Sequence, residues 1–160
     1  MYPTKNSLPE KTRTLLIALL QQRLADAIDM ALQAKQAHWN VKGPDFIALH
    51  ELFDKVTEAV ENHVDLIAER IVQLGGIALG TLESLKGRTT LPVYSVTISS
   101  GQQHVAALSH ALAFYGESLR TAIAKADEAE DADTADILTQ VSRETDKWLW
   151  FVEAHGQSEH

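Results

Sequence analysis

Five residues carry side chains that bind metal ions and sit at informative spacings: His38, His50, Asp54, Asp65 and Glu69. The last four fall on one stretch that reads as a single helix. At about 100° of rotation per residue they lie at roughly 0°, 40°, 60° and 100° around its axis, all on one face. That face is about as wide as the apolar stripe a helix normally turns toward its core. An imidazole and three carboxylates there are costly unless something compensates them. A metal ion does so.

His50 and Asp54 are one turn apart and can share an ion; Asp65 and Glu69 form a second such pair. Asp54 and Asp65 are separated by roughly 16 Å along a helix rising about 1.5 Å per residue. One chain therefore cannot bring all four to one metal. Two copies of the helix crossing antiparallel near Ala59 and Val60 can, with His50 and Asp54 of one copy against Asp65 and Glu69 of the other. A two-fold contact is self-complementary, so it creates two equivalent sites. The expectation is a metal site that exists only between subunits, with His38 upstream to complete it.

The elements that must position these residues are helical almost throughout. Ser7-Leu8-Pro9-Glu10 combines a capping-box spacing with a proline suited to a first turn. Leu16, Leu20, Leu24, Ile28 and Leu32 then recur at helical spacing, which predicts a first helix over about 9–39. Gly43-Pro44-Asp45 opens the second, the one bearing the stripe, and Gly75-Gly76 stops it. Residues 77–98 lack helical periodicity. Val93–Ile98 has strand-like propensity but no partner strand, so it is expected to be an extended connection or a short helix. Ser100-Gly101-Gln102-Gln103 caps a third long helix, ending near Lys125, and Asp133-Thr134-Ala135-Asp136 opens a fourth that ends near His155-Gly156. Four long helices with one long crossover between the second and third describe a ferritin-like bundle, an all-α fold. The expected layout is a short tail at 1–8, one domain over 9–156 and a tail at 157–160.

Composition narrows the chemistry. The 160 residues include no cysteine, which removes disulfides, thiolate metal sites and thiol nucleophiles together. With no apolar signal segment at the start and no stretch apolar enough to cross a bilayer, a soluble, cytoplasmic protein is expected. The Glu-x-x-His pattern of di-iron sites inside a single bundle is missing. Glu61-Asn62-His63 and Glu153-Ala154-His155 have the wrong spacing.

Several blocks carry a family resemblance. Gln36-Ala37-His38-Trp39-Asn40-Val41-Lys42-Gly43, then Phe46 to His50 and Asp54, then Asp65-Leu66-Ile67-Ala68-Glu69-Arg70 with Gln73-Leu74-Gly75-Gly76, resemble the motifs of Dps, the DNA-protecting miniferritins of starved cells. Asp133-Thr134-Ala135-Asp136 and Asp146-Lys147-Trp148-Leu149-Trp150-Phe151 extend the likeness over nearly the whole folded part. The resemblance implies a hollow homo-dodecamer built from two-fold dimers. Its ferroxidase sites would take His38, His50 and Asp54 from one subunit and Asp65 and Glu69 from the partner. Each would hold two iron ions, oxidise Fe(II) to Fe(III), preferentially with hydrogen peroxide rather than oxygen, and deliver ferric mineral to the cavity. Imidazole with carboxylate suits Fe(II).

The remaining candidates have two readings each. Asp127, Glu128, Glu130, Asp131, Asp133 and Asp136 form the densest charge run, a solvated turn by default. By resemblance Asp131, Asp133 and Asp136 would line a three-fold iron inlet, although Ala132 interrupts the run. Trp39 is a packing residue or, beside His38, an electron donor to stray oxidant. Trp148, Trp150 and Phe151 are expected in the core or an interface. His63, His104, His110, His155 and His160 have no partner pattern and are left as surface or core residues. The formal charge of −8 and the near absence of lysine before the first helix, Lys5 alone, oppose direct DNA binding. A nucleoid-compacting protein with secondary iron chemistry is the alternative reading.

Overall fold

The computed structural model describes residues 1–157; Ser158, Glu159 and His160, and with them most of the expected C-terminal tail, lie outside the described residues. Four long helices, α1 (Glu10–Asn40), α2 (Phe46–Gln73), α4 (Gly101–Glu128) and α5 (Ala132–Glu153), and one short helix, α3 (Leu82–Leu85), are joined in an all-α bundle. The hairpin pairs α1 with α2 and α4 with α5 form the two layers, and α1 against α4 with α2 against α5 closes them. Leu16, Leu20, Leu24, Met30 and Ala34 of α1 recur every four to six residues and meet Leu49, Phe53, Val56, Val60, Ile67 and Ile71 of α2 in one continuous core. Leu108, Leu112, Leu119, Leu138 and Val141 supply the opposite wall. Each large apolar side chain buried this way contributes about 1.5–3 kcal/mol.

The start of α4 and the end of α2 follow their sequence signals. Ser100 and Gln103 form the expected reciprocal capping box at α4. Gly75 takes a left-handed φ of 89° at the end of α2, where its missing side chain also admits the carbonyl of Tyr2, 2.8 Å from where a Cβ would stand. Ser7 and Glu10, by contrast, form no capping box. Pro9 occupies the cap position of α1, which no side chain caps, and its carbonyl accepts the Arg13 N–H at 3.0 Å.

The crossover after α2 is held by a polar stripe on α1. Gln22 donates to the Arg88 carbonyl at 2.7 Å, and Gln33 to the Pro92 carbonyl at 3.1 Å. Asp26 accepts from the Thr90 N–H at 2.7 Å and its hydroxyl at 3.0 Å, while Asp29 accepts from the Thr89 hydroxyl at 2.6 Å. These residues stand three or four apart, one face of α1, so the connection is laid along the bundle by side chains rather than by pairing with a strand. Val93–Ile98 is irregular, as expected of a segment without a partner. The crossover ends in a bridge, with Lys42 N–H to the Ser99 carbonyl at 2.9 Å and Gly101 N–H to the Lys42 carbonyl at 3.1 Å. None of the described helices is long and apolar enough to cross a membrane.

Candidate metal centre

The short connection 41–45 folds α2 back along α1 and brings the last turn of one against the first turn of the other. His38 and His50 therefore stack face to face, ring centroids 3.7 Å apart and planes 21° from parallel. Each ring bonds the other's backbone. His38 Nδ1 donates to the His50 carbonyl at 2.7 Å, and His50 Nδ1 donates to the His38 carbonyl at 2.8 Å. A carbonyl only accepts, so each Nδ1 carries a proton in these bonds, and Nε2 is the ring atom left to offer a lone pair to a metal. Phe46 lies over His50 with centroids 5.1 Å apart.

Asp54 follows His50 by one turn, its carboxylate 4.0 Å from His38 Nδ1. It is bound by the ammonium of Lys35, one turn before His38. The Lys35 hydrogen bond holds the Asp54 carboxyl below the usual carboxylate range; slight burial opposes this, and the neighbouring imidazoles reinforce it. A cation already stands where a metal would be drawn, which is how a cluster of ligand atoms is satisfied without one.

Asp65 and Glu69 are exposed farther along α2 and bond no described side chain. Among the described residues, no three His, Asp or Glu side chains of one chain converge on a point that could hold a metal. The five candidates thus divide into two groups, a histidine pair with Asp54 and an acid pair, on one continuous helix and its neighbour.

Arg70, next to Glu69, turns into the protein. Its Nη2 bonds both oxygens of Asp131 at 3.0 and 2.9 Å, and its Nε donates to the Thr134 hydroxyl at 3.0 Å. Among the three acids of the inlet reading, Asp131 is thus the one whose carboxylate is closely paired within the chain. It is buried to 4 % exposure as the counter-ion of Arg70, while Asp133 and Asp136 are exposed. A buried guanidinium demands such a partner. Nothing local in the sequence separates Asp131 from its acidic neighbours, because its partner is 61 residues away.

His63 is buried, its Nε2 2.9 Å from Glu144 Oε2, and His104 is buried with Nδ1 2.5 Å from the Tyr94 hydroxyl. Burial lowers the affinity of both rings for a proton. His110 and His155 are exposed. Trp148 lies in the core, but Trp39 and Trp150 are 65 % and 61 % exposed, so packing within one chain does not account for either.

The ferritin-like domain pattern matches residues 17–158. The chain is 48 % identical over 156 residues to the DNA protection during starvation protein of Agrobacterium fabrum, covering 98 % of this chain and 96 % of that one. The chain belongs to the Dps family of ferritin-like proteins. The Dps-type relative of Mycolicibacterium smegmatis is 37 % identical over 94 % of this chain and 82 % of its own. Among solved structures, Mycobacterium smegmatis Dps superposes with a TM-score of 0.92 at 36 % identity, over 98 % of this chain and 95 % of that one. DpsA14 from Streptomyces coelicolor does so with a TM-score of 0.92 at 35 % identity, over 98 % and 92 %. The candidate ligand residues of this bundle lie toward its surface, on α1 and α2, rather than in its core.

Proposed function

We propose that this Dps protein is a ferroxidase and iron store, oxidising Fe(II) to Fe(III) at sites shared between two subunits and holding the ferric product inside a hollow dodecamer. The observation that carries the reading is the reciprocal His38–His50 pair beside Asp54, a half-site whose complement, Asp65 and Glu69, its own helix holds out of reach. A two-fold crossing of α2 near Ala59 supplies that complement from a partner. The concave patch formed by Ile28, Leu32, Lys35, Glu61 and Val64, next to the half-site, is the surface on which the partner would lie.

Iron is the substrate. His38 and His50 offer Nε2, fixed in direction by their backbone bonds, and Asp54 exchanges the Lys35 ammonium for Fe(II). Glu69 of the partner, with Asp65 behind it, adds the carboxylates that let two ions sit together. Two neighbouring Fe(II) ions give one electron each to one hydrogen peroxide. The O–O bond then breaks without releasing hydroxyl radical, and its oxygens take up protons or enter the ferric hydroxide. Peroxide is in this reading the preferred oxidant, with oxygen slower. In this reading Trp39, exposed beside His38, gives an electron to oxidant that escapes, and Asp133 and Asp136, with Asp131 paired to Arg70 beside them, attract Fe(II) toward the inlet.

Direct DNA binding is weak or absent in this reading. The segment before α1 is not a free arm. Tyr2 N–H bonds the Gly75 carbonyl at 2.7 Å, and Arg13 bridges the carbonyls of Leu8 and Leu74 at 3.1 and 3.0 Å. Twelve copies at −8 each carry about −96, a field that repels a polyanion. A gel-shift with the intact oligomer is expected to show no salt-sensitive retardation, and tight retardation at physiological salt would refute this part.

Subunit mixing tests the shared site. A subunit with His50→Ala and Asp54→Ala, and one with Asp65→Ala and Glu69→Ala, are each expected to be inactive alone. Co-assembled, every mixed dimer regains one intact site, so peroxide-driven ferric absorbance returns. Failure to recover activity in a verified mixed oligomer would sink the intersubunit assignment.

A further inference from the structure

Away from the metal centre, polar side chains from all four long helices enter the middle of the bundle. Arg23 and Asp26 come from α1, His63 from α2 and Tyr115 from α4, all at least nine-tenths buried. Glu144 of α5 reaches in from a partly exposed position. Buried groups of this kind normally have every strong donor and acceptor satisfied. Here four do not. Among the described residues, Arg23 Nε, Asp26 Oδ2, His63 Nδ1 and the Tyr115 hydroxyl find no aligned protein partner.

Asp26, Arg23 and His63 are each held through another of their polar atoms, so these three cannot simply turn away. Asp26 Oδ1 is fixed by Thr90, and Asp26 Oδ2 lies 2.9 Å from an Arg23 nitrogen as an ion pair without hydrogen-bond alignment. His63 Nε2 is fixed by Glu144 at 2.9 Å. The groups are linked in pairs: the rings of His63 and Tyr115 stand 6.4 Å apart, and Arg23 and Asp26 lie 2.9 Å from each other. Burial suppresses the acidity of the Tyr115 hydroxyl, and the charges of Asp26 and Arg23 act on it in opposite directions.

We infer that ordered water molecules occupy this centre, bridging Arg23 and Asp26 to the Tyr115 hydroxyl and the hydroxyl toward His63 Nδ1. The donor set selects water. Arg23 Nε–H only donates, Asp26 Oδ2 only accepts, and a phenol and an imidazole do either, so the occupant must donate and accept within a small volume. Arg23 repels a metal cation, while Asp26 and Glu144 repel an anion. Buried water in folded proteins makes about three hydrogen bonds, usually to groups of this type, and occurs about once per 27 residues. Glu144 provides the route of exchange, since its carboxylate is partly open to solvent and bonds the innermost imidazole.

A crystal structure of the assembled protein at a resolution showing ordered solvent, together with Tyr115→Phe, tests this. Density within hydrogen-bond distance of both the Tyr115 hydroxyl and Asp26 or Arg23 is expected, as is a solvent peak at His63 Nδ1. Tyr115→Phe is expected to keep the backbone, weaken the first peak and lower the melting temperature by a few degrees. A dry hydroxyl makes the opposite prediction, because removing an unsatisfied polar group leaves stability unchanged or raises it. A centre without solvent density, with Tyr115 turned directly onto Asp26 or with Tyr115→Phe as stable as its parent, would overturn the inference. Iron oxidation does not enter either readout, so the outcome stands apart from the ferroxidase reading.

Discussion

His38 and His50 donate to each other's backbone carbonyl through Nδ1, at 2.7 and 2.8 Å, while their rings stack 3.7 Å apart. The relationship makes each histidine the orienting partner of the other, and ties the end of α1 to the start of α2 through the two candidate ligands.

Because the pair acts as a unit, losing either ring is expected to disorient the survivor. His38→Ala and His50→Ala should each lower Fe(II) affinity about 10–100-fold, the usual scale for a lost orienting contact. The double variant should fall little further. Initial rates of ferric absorbance over a range of Fe(II) measure this, and losses that add in full between the two variants would argue that the rings act independently.

Lys35 occupies the Asp54 carboxylate that the proposed site offers to a metal. In Lys35→Met the competitor is gone, so the affinity for a divalent probe such as Co(II) should rise, by roughly threefold given the weak worth of a half-exposed ion pair. Calorimetric titration of the oligomer reads it directly. Weaker binding in the variant would mean that Lys35 assists the site rather than blocking it.

The Arg70–Asp131 pair carries a pH signature. Burial raises the Asp131 carboxyl, but the hydrogen bonds from Thr134 and Arg70 outweigh it and hold the group below its ordinary value of 3.8. A depressed carboxyl stabilises the fold fully above its unfolded value and loses that contribution as pH falls through the folded one. Stability should therefore drop below about pH 4, a step that Asp131→Asn removes. At neutral pH the variant, which leaves Arg70 without its counter-charge, should be less stable by about 3–5 kcal/mol. Chemical denaturation from pH 3 to 7 shows both, and an unchanged acid limb in the variant would exclude Asp131 as its source.

Gly101 connects the crossover to the metal centre. A Cβ there would stand 2.6 Å from Leu49 Cδ1, beside His50 in sequence. Gly101→Ala is expected to cost about 1–3 kcal/mol through overpacking and to weaken Fe(II) binding by shifting the first turn of α2. Gly80→Ala, whose Cβ would make an ordinary 3.6 Å contact with Ile28, is the control. Equal effects of the two substitutions would show that closeness to Leu49 is immaterial.

The legible features are those written into short stretches of chain. Helical spacing gave α1, α2, α4 and α5 to within a few residues, and Ser100 and Gly75 marked real helix boundaries. The misread signals are instructive. Ser7 and Glu10 have capping-box spacing, but the segment before α1 is drawn onto Gly75 and Leu74, and Pro9 takes the cap position instead. Gln22, Asp26, Asp29 and Gln33 carry no local signal that sets them apart from other polar helix residues, and only the path of the crossover gives them work.

By itself the sequence determined that the ligand stripe lies on one helix and that Asp54 and Asp65 are too far apart along it to meet, since helical rise is fixed by local backbone geometry. Tertiary structure decided the rest. It turned His38 and His50 toward each other's carbonyls, set Lys35 on Asp54 and withdrew Asp131 from its acidic neighbours to neutralise Arg70. Each of these depends on which surfaces are buried together. Burial changes the cost of a charge or an unpaired donor by more than any local propensity, and it exists only once distant segments have packed.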